Sequence, residues 1–409
     1  LQQKLKNNPG ELEPEEPCNA PPHIMSTETH IPILRLGEEY LSLDTVELEA
    51  SADNTVYTHT ANPGLIRRDL LDIEKSRAAL DAVPAATLAG YCEEAAELFL
   101  HEELPVGNSR QGPDEYIESL SALTKLPHTL VRMNMGKVHA AMSQIRTVIG
   151  GLTRNLPLDL FDRGLSAVDD LEVNFYPVAD ALGVSLPSNA PAVNSLWLPA
   201  PVLKIPVLLK PGREDPYTPL RIVQALIAAG FPKEAFGFYP TSHEGGDTIL
   251  MGCGRGIAFG SDATVRKYAG FPSIQVHGTG RSKILIGDDY MGRWSDHTKT
   301  LVESISANGG RSCINTSAIL LPSKRDEVAD SIARELASIE PLPRDHENAL
   351  LCGFSNTEWA GSINDLIDEH LKVEGAEDVT ARYRNGSRLV ERHGQTYLRP
   401  TLISCADPV

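Results

Sequence analysis

Apolar positions fall into three regimes along the chain. Between residues 31 and 60 they come in short runs, Ile31 to Leu36, Val46 to Leu48 and Val56-Tyr57, which predict edge strands. From Gly64 to Ile149 the spacing turns helical: Ile66, Leu70 and Ile73 recur at helical intervals, as do Ala95, Leu98 and Phe99. Pro105-Val106-Gly107-Asn108 interrupts that block, and a long helix from Met133 to Ile149 is predicted to close it. Beyond it, short apolar runs alternate with helical stretches. Strands are predicted at Asp170–Phe175, Val184–Leu186, Val207–Lys210, Phe236–Tyr239, Gly256–Phe259, Ser273–Val276 and Lys283–Ile286. Helices are predicted through Leu196-Trp197-Leu198 and from Leu220 to Ala229.

Strands alternating with helices imply βαβ units and a parallel sheet. Right-handed crossovers wind such a sheet in both directions, so the fold class is α/β with a Rossmann-type domain. Residues 1–24 do not fit either regime. Asn7-Asn8-Pro9-Gly10, four glutamates at 11, 13, 15 and 16, and further prolines cannot build a core, so they read as a disordered leader or tag before a natural start at Met25.

Composition narrows the function classes. The chain has 409 residues with 37 Lys+Arg against 55 Asp+Glu, a formal charge of −18, and this acidic balance argues against phosphate-backbone binding. No run approaches the roughly 18 apolar residues of a membrane span. Neither a nucleic acid nor a membrane is expected as a partner. The six cysteines, at 18, 92, 253, 313, 352 and 405, form no CxxC pair, so free thiols in a reducing cytoplasm and no metal site are expected.

Four segments carry candidate chemistry: Asn189-Ala190-Pro191 after a strand; Val207-Leu208-Leu209-Lys210-Pro211; Ile257-Ala258-Phe259-Gly260-Ser261 between a strand and a helix; and Asn308-Gly309-Gly310-Arg311-Ser312-Cys313-Ile314-Asn315. Their order resembles the aldehyde dehydrogenase superfamily, from about residue 60 to the C-terminus. Asp215-Pro216-Tyr217-Thr218 and His243-Glu244-Gly245-Gly246-Asp247-Thr248 resemble, within it, the bioluminescence-type fatty acyl-CoA reductases.

The resemblance implies roles, each beside a plainer reading. Cys313 is the candidate nucleophile, forming a thioester by attack on an aldehyde or on acyl-CoA; otherwise it is a buried structural thiol. Asn189 would bind the oxyanion with the Cys313 N–H, or else cap the following helix. Lys210, at a strand's carboxyl end, would hydrogen-bond the adenosine ribose, or else be a solvated loop lysine. Arg213 stands where NAD-preferring relatives often carry an acid, which leans the NAD(P) cofactor towards NADP. Gly260-Ser261 would hold the pyrophosphate, and Pro187 and Ser188 would line the cofactor cleft; the alternative for both is an ordinary turn. His277 replaces the glutamate that activates water in hydrolytic members, which suggests coenzyme A as the acyl acceptor; the alternative is a loop histidine without a role.

By the same resemblance the chain divides into N-terminal strands and helices at 25–151 packed on the cofactor domain, and a protruding oligomerisation hairpin at 152–178. A dinucleotide-binding domain at 179–300 and a catalytic domain at 301–409 follow. Tyr397-Leu398-Arg399-Pro400-Thr401-Leu402 resembles a segment that precedes a Glu-x-Phe-Gly-Pro stretch in the family, so the catalytic domain is expected to be C-terminally incomplete. The expected function is an NAD(P)-dependent oxidoreductase on a small aldehyde or acyl-CoA, in the acylating direction, as a homodimer or homotetramer. A hydrolytic aldehyde dehydrogenase and a catalytically inactive structural relative are the alternatives.

Overall fold

The computed structural model describes residues 27–51, 54–168 and 171–405. The leader at 1–24, the start at Met25, Asp170 of the strand expected at 170–175 and the chain end at Val409 lie outside the described residues.

Five strands open the chain: β1 (Thr27–Ile31), β2 (Ile33–Arg35), β3 (Glu38–Tyr40), β4 (Thr45–Ser51) and β5 (Asn54–His59). Helices α1 (Pro63–Leu70), α2 (Ile73–Asp81) and α3 (Ala85–His101) lead to a hairpin, β6 (Leu104–Val106) and β7 (Ser109–Gln111). Then come α4 (Pro113–Thr124), α5 (His128–Ser143), α6 (Ile145–Thr153) and the single turn α7 (Leu160–Arg163). A second hairpin, β8 (Leu165–Val168) and β9 (Leu171–Asn174), precedes the alternating region. That region runs β10 (Ala181–Ser185), α8 (Pro199–Val202), β11 (Val207–Lys210), α9 (Tyr217–Ala228), β12 (Phe236–Phe238), α10 (His243–Gly252), β13 (Gly254–Phe259), α11 (Asp262–Tyr268) and β14 (Ile274–His277). The chain continues through β15 (Ser282–Leu285), α12 (Thr298–Ser306), β16 (Thr316–Leu320), α13 (Arg325–Ala337) and α14 (Thr357–His370) into short strands.

The main sheet has the order β14-β13-β10-β11-β12-β2-β3, with the first five strands parallel and β2 antiparallel to β12. Val207, Leu208 and Leu209 are fully buried, because a parallel strand covered on both faces reads as a continuous apolar run. From β10 the chain winds outward to β11 and β12, then returns to the other side for β13 and β14. The α/β reading from the pattern holds.

The structure differs from the sequence reading in four places. Residues 196–198 form a turn rather than a helix, between a 3-10 turn at Pro191–Ser195 and α8; Pro191, Pro199 and Pro201 each lack the N–H a continuous helix needs. The long helix expected at 133–149 is two helices meeting at Gln144, which sits at φ −105° and ψ 23°, outside helical geometry. β15 pairs with β16 rather than with the main sheet, so residues 282–285 belong with the C-terminal unit and not with the 179–300 segment. Strands β2 and β3 extend the main sheet itself, so part of the N-terminal segment is built into it.

Helix α3 buries Leu88, Ala89, Cys92, Ala95, Ala96 and Phe99 along one stripe against α5 and α9. Helix α9 is buried from Tyr217 to Leu226 and carries Arg221, which is 1% exposed. Its guanidinium donates to the carbonyls of Phe99 at 2.9 Å, Gln111 at 2.9 Å and Glu102 at 2.7 Å, and packs beside the rings of Phe99 and Tyr116. Among the described residues no carboxylate pairs with it, and burial pulls the guanidinium pKa down to about 10. Three carbonyl dipoles, two of them at the C-terminal end of α3, therefore hold the charge.

The Asp215-Pro216-Tyr217-Thr218 stretch has a structural role at the start of α9. Asp215 is fully buried; it accepts the Thr218 N–H at 3.0 Å and an amide N–H of Asn194 at 3.1 Å. Burial pushes its carboxyl pKa up to about 6.

Arg221→Met is expected to leave three buried carbonyls without their donor and to lower unfolding free energy by about 3 kcal/mol. Urea titration checks this; an unchanged midpoint would contradict it. Asp215 holds its proton in the folded state to a higher pH than the unfolded value of about 3.9, so its contribution is lost as pH rises from about 4 to about 6. Asp215→Asn removes that linkage, and the variant-minus-wild-type stability difference should shift in the variant's favour by about 2–3 kcal/mol over this window. A difference that is flat with pH speaks against a raised carboxyl.

Candidate active site

A cavity of about 1050 Å³ opens beyond the carboxyl ends of β10, β11, β12 and β13. This is where the winding of the sheet reverses, the place at which open α/β sheets bind ligands. The predicted residues Ser188, Lys210 and Arg213 all line it. Pro187 and Gly260 do not line it themselves but are each next in sequence to a lining residue, and Ser261 follows Gly260.

Lys210 ends β11 and is largely buried, and desolvation pulls its pKa below the usual lysine value. Its ammonium reaches only the Pro211 carbonyl, at 3.4 Å, and no described carboxylate pairs with it. An uncompensated, largely desolvated cation facing a cavity is costly, and such a group is a candidate for ligand binding. Gly246 makes room for it: a Cβ there would lie 2.8 Å from the Lys210 Cδ. Asp247, one residue on, holds Lys267 and Tyr268 of α11 against the cavity wall.

Gly212 brings the loop after β11 onto the turn after β10, since a Cβ there would lie 2.3 Å from the Ser188 Oγ and 2.7 Å from the Pro187 carbonyl carbon. Ser188 Oγ accepts the Glu214 N–H at 3.1 Å, and Arg213 is exposed at the rim. Ser261 is the N-cap of α11 without a side-chain capping bond. The first turn of α11 carries Asp262, paired with Arg281 at 3.0 Å, a carboxylate that competes with a diphosphate for that helix end.

The opposite wall was not anticipated. Asp44, just before β4, Val46 and Leu48 of β4, Thr58 of β5 and Thr60 just after it also line the cavity. Their alternation at every second position was the available signal, because it puts each set on one strand face.

A second cluster surrounds Cys313. Asn308, Gly309 and Gly310 are all left-handed, with φ of 53°, 65° and 79°, a conformation suited to Asn and Gly. A Cβ at Gly309 would lie 2.1 Å from the Cys352 Sγ, and a Cβ at Gly280 would lie 1.6 Å from the Cys313 carbonyl oxygen. Glycine at both positions therefore lets the loop be pinned from two sides. Cys313 is half-buried, and neither its Sγ nor its N–H bonds another described residue. The other core thiols are poor nucleophiles: burial pushes Cys92 and Cys253 up to about 12 and Cys352 to about 11.

Asn189 meets this loop. One of its amide N–H groups donates to the Arg311 carbonyl at 2.7 Å, two residues before Cys313. Asn308, within the fourth sequence segment but given no role there, donates to the Asn189 carbonyl at 3.2 Å. His277 ends β14 at the start of the loop that carries Gly280, and its ring stacks on Phe259 at 4.8 Å, a lining residue of the cavity. It bonds neither Cys313 nor Asn189. The structure thus groups Ser188, Lys210 and Arg213 at one cavity and Cys313 with Asn189 beside it. His277 lies between through Phe259 and Gly280. Among the described residues no group of three or more His, Cys, Asp or Glu is placed to hold a metal, and no helix is long and apolar enough to cross a membrane.

The chain is similar in structure to succinate-semialdehyde dehydrogenase from Burkholderia pseudomallei, with a TM-score of 0.71 and 16% identity over 94% of this chain and 77% of that one. It is similar to an indole-3-acetaldehyde dehydrogenase complexed with NAD+, with a TM-score of 0.72 and 18% identity over 93% and 76%. An NAD-dependent benzaldehyde dehydrogenase from Corynebacterium glutamicum matches with a TM-score of 0.71 and 16% identity over 91% and 79%. Sequence comparison with curated proteins gives no significant match. The sequence profile of the aldehyde dehydrogenase family matches residues 137–408, more than half of the chain and both clusters of the site, and the chain belongs to that family.

Proposed function

We propose that the chain is an NAD(P)-dependent oxidoreductase that interconverts an aldehyde and an acyl thioester through Cys313, in the acylating direction. The observation that carries this is the Cys313 loop: three left-handed residues pinned between Gly280 and Cys352 present a half-exposed thiol, while Cys92, Cys253 and Cys352 are buried. Family membership supports the aldehyde-level chemistry.

The cavity fits a dinucleotide. Its buried, unpaired Lys210 suits ribose hydroxyls, and Arg213 at the rim suits a 2′-phosphate, which favours NADP. Pro187, Ser188, Gly260 and Ser261 would complete the cleft. When bound, the oxidised nicotinamide supplies the hydride acceptor.

Cys313 thiolate adds to the aldehyde carbon, forming a C–S bond and an alkoxide. The free N–H of Cys313 and the second amide N–H of Asn189 are the donors available to that oxyanion. Loss of hydride from the same carbon leaves an acyl thioester on Cys313. The thiolate of coenzyme A attacks the thioester carbonyl and expels Cys313. His277, standing by resemblance where hydrolytic members carry a glutamate, supports a thiol rather than water as acceptor. The hydrolytic reading is favoured by one finding, that the similar structures above are named as aldehyde dehydrogenases without an acyl-CoA partner. A cytoplasmic homodimer or homotetramer belongs to the same proposal, with exposed Leu165, Leu171 and Tyr176 on and beside the β8–β9 hairpin as its contact surface.

Aldehyde oxidation should depend on coenzyme A. Cys313→Ser should lower kcat at least about a thousandfold, and Cys253→Ser should leave it unchanged. Appreciable turnover without coenzyme A, or iodoacetamide labelling of Cys313 no faster than of Cys253, would sink the acylating or the nucleophile assignment respectively. Lys210→Met should raise the dinucleotide KM about tenfold or more with kcat little changed. Arg213→Ala should erase the preference for NADP, and equal KM ratios in variant and wild type would exclude a phosphate contact.

A further inference from the structure

We propose that Asn134, in the interior of helix α5, is a positioning residue that sets the geometry of the nucleophile loop through a chain of buried amides. This rests on the reading of Cys313 and Asn189 given above. Asn134 is 2% exposed and Asn308 is 6% exposed. A buried side-chain amide has four hydrogen-bonding sites and stays in one orientation only when they are used consistently.

The bonds leave no freedom at Asn134. Its oxygen accepts the Ala192 N–H at 3.2 Å, three residues after Asn189. Both of its N–H groups are used, one on the Leu130 carbonyl at 2.7 Å and one on the Asn308 Oδ1 at 2.6 Å. With its oxygen occupied, Asn308 turns its own N–H groups to the Asn189 carbonyl at 3.2 Å. Asn189 in turn donates to the Arg311 carbonyl at 2.7 Å. Flipping any amide in this series would set donor against donor or acceptor against acceptor. The order of donors therefore runs one way, from α5 to the residue two positions before Cys313.

Arg311 anchors the same loop a second time. Its guanidinium donates to the carbonyl of Thr124, the last residue of α4, at 2.5 Å and to the Gly353 carbonyl at 3.2 Å. The helix end supplies a partial negative charge there. The helical block before residue 151 is therefore bonded to the nucleophile loop at two points, through Asn134 and through the Thr124 carbonyl. Asn134 is bonded both to the Asn189 turn and to the Asn308 turn, so it fixes the one relative to the other.

The test uses the full chain. Asn134→Leu removes the donors at nearly constant volume, and Asn134→Asp keeps the acceptor for Ala192 but turns an oxygen towards Asn308. Both should lower kcat about ten- to a hundredfold while the dinucleotide KM stays within about twofold, because misplacement of reacting groups acts on the chemical step. In the Asn189→Ala background the Asn134→Leu effect on kcat should shrink, since one of the two routes from Asn134 to the loop runs through the Asn189 turn. Iodoacetamide labelling gives a readout independent of turnover: Cys313 should label at least about threefold faster in Asn134→Leu, with Cys253 unchanged. Equal acceleration at Cys253 means general loosening and overturns the positioning role, as does a kcat loss that persists undiminished in Asn189→Ala. If the wild type turns over no aldehyde, selective labelling of Cys313 in Asn134→Leu still supports the positioning role, and its absence overturns it.

Discussion

Parallel pairing of β10 with both β11 and β13 is the constraint on which the site depends. A strand bonded on both sides in the same direction must have its neighbours' carboxyl ends beside its own. Because the chain goes one way from β10 and then returns for β13, two connections leave those ends in opposite directions and a crevice opens between them. Everything assigned to the cavity follows from that separation. Ser188 leaves β10, Lys210 leaves β11, and the Gly260-Ser261 turn leaves β13. The register pairs Ser185 with Lys210 and with Ala258, so the three exits are level.

Close approach is the second theme, and it is carried by the absence of side chains. Gly212 seats one loop on the Pro187-Ser188 turn, Gly246 seats a helix on the stem of Lys210, and Gly280 and Gly309 seat two segments on the nucleophile loop. In each case a Cβ would overlap backbone, a sulfur or a buried stem. The motifs that stood out in the sequence for their glycines are thus packing devices first. Asp215-Pro216-Tyr217-Thr218 is similar: it starts a buried helix, with its carboxylate bonded to backbone and to Asn194.

The sequence was legible where a single local rule decides the outcome. The β11 run Val207 to Leu209 is apolar because both faces are covered, and that run alone predicts the strand. It was illegible where distant segments decide. Nothing local says that Lys283 to Leu285 pairs with β16 across the whole of α12, or that Val46 and Leu48 face a cavity built by strands far along the chain. Leu196-Trp197-Leu198 has helical apolar spacing, but the prolines around it remove the bonds a helix would need. Asn134 gave no signal at all, since an asparagine in a helix reads as a weak propensity until its partners are known.

The contact between Gly280 and Cys313 has a mechanical consequence. The loop from β14 to β15 starts at the edge of the main sheet and ends in the β15–β16 pair, and its glycine touches the Cys313 backbone at van der Waals range or closer. A displacement of that strand pair against the main sheet would therefore be transmitted through residue 280 to the Cys313 backbone.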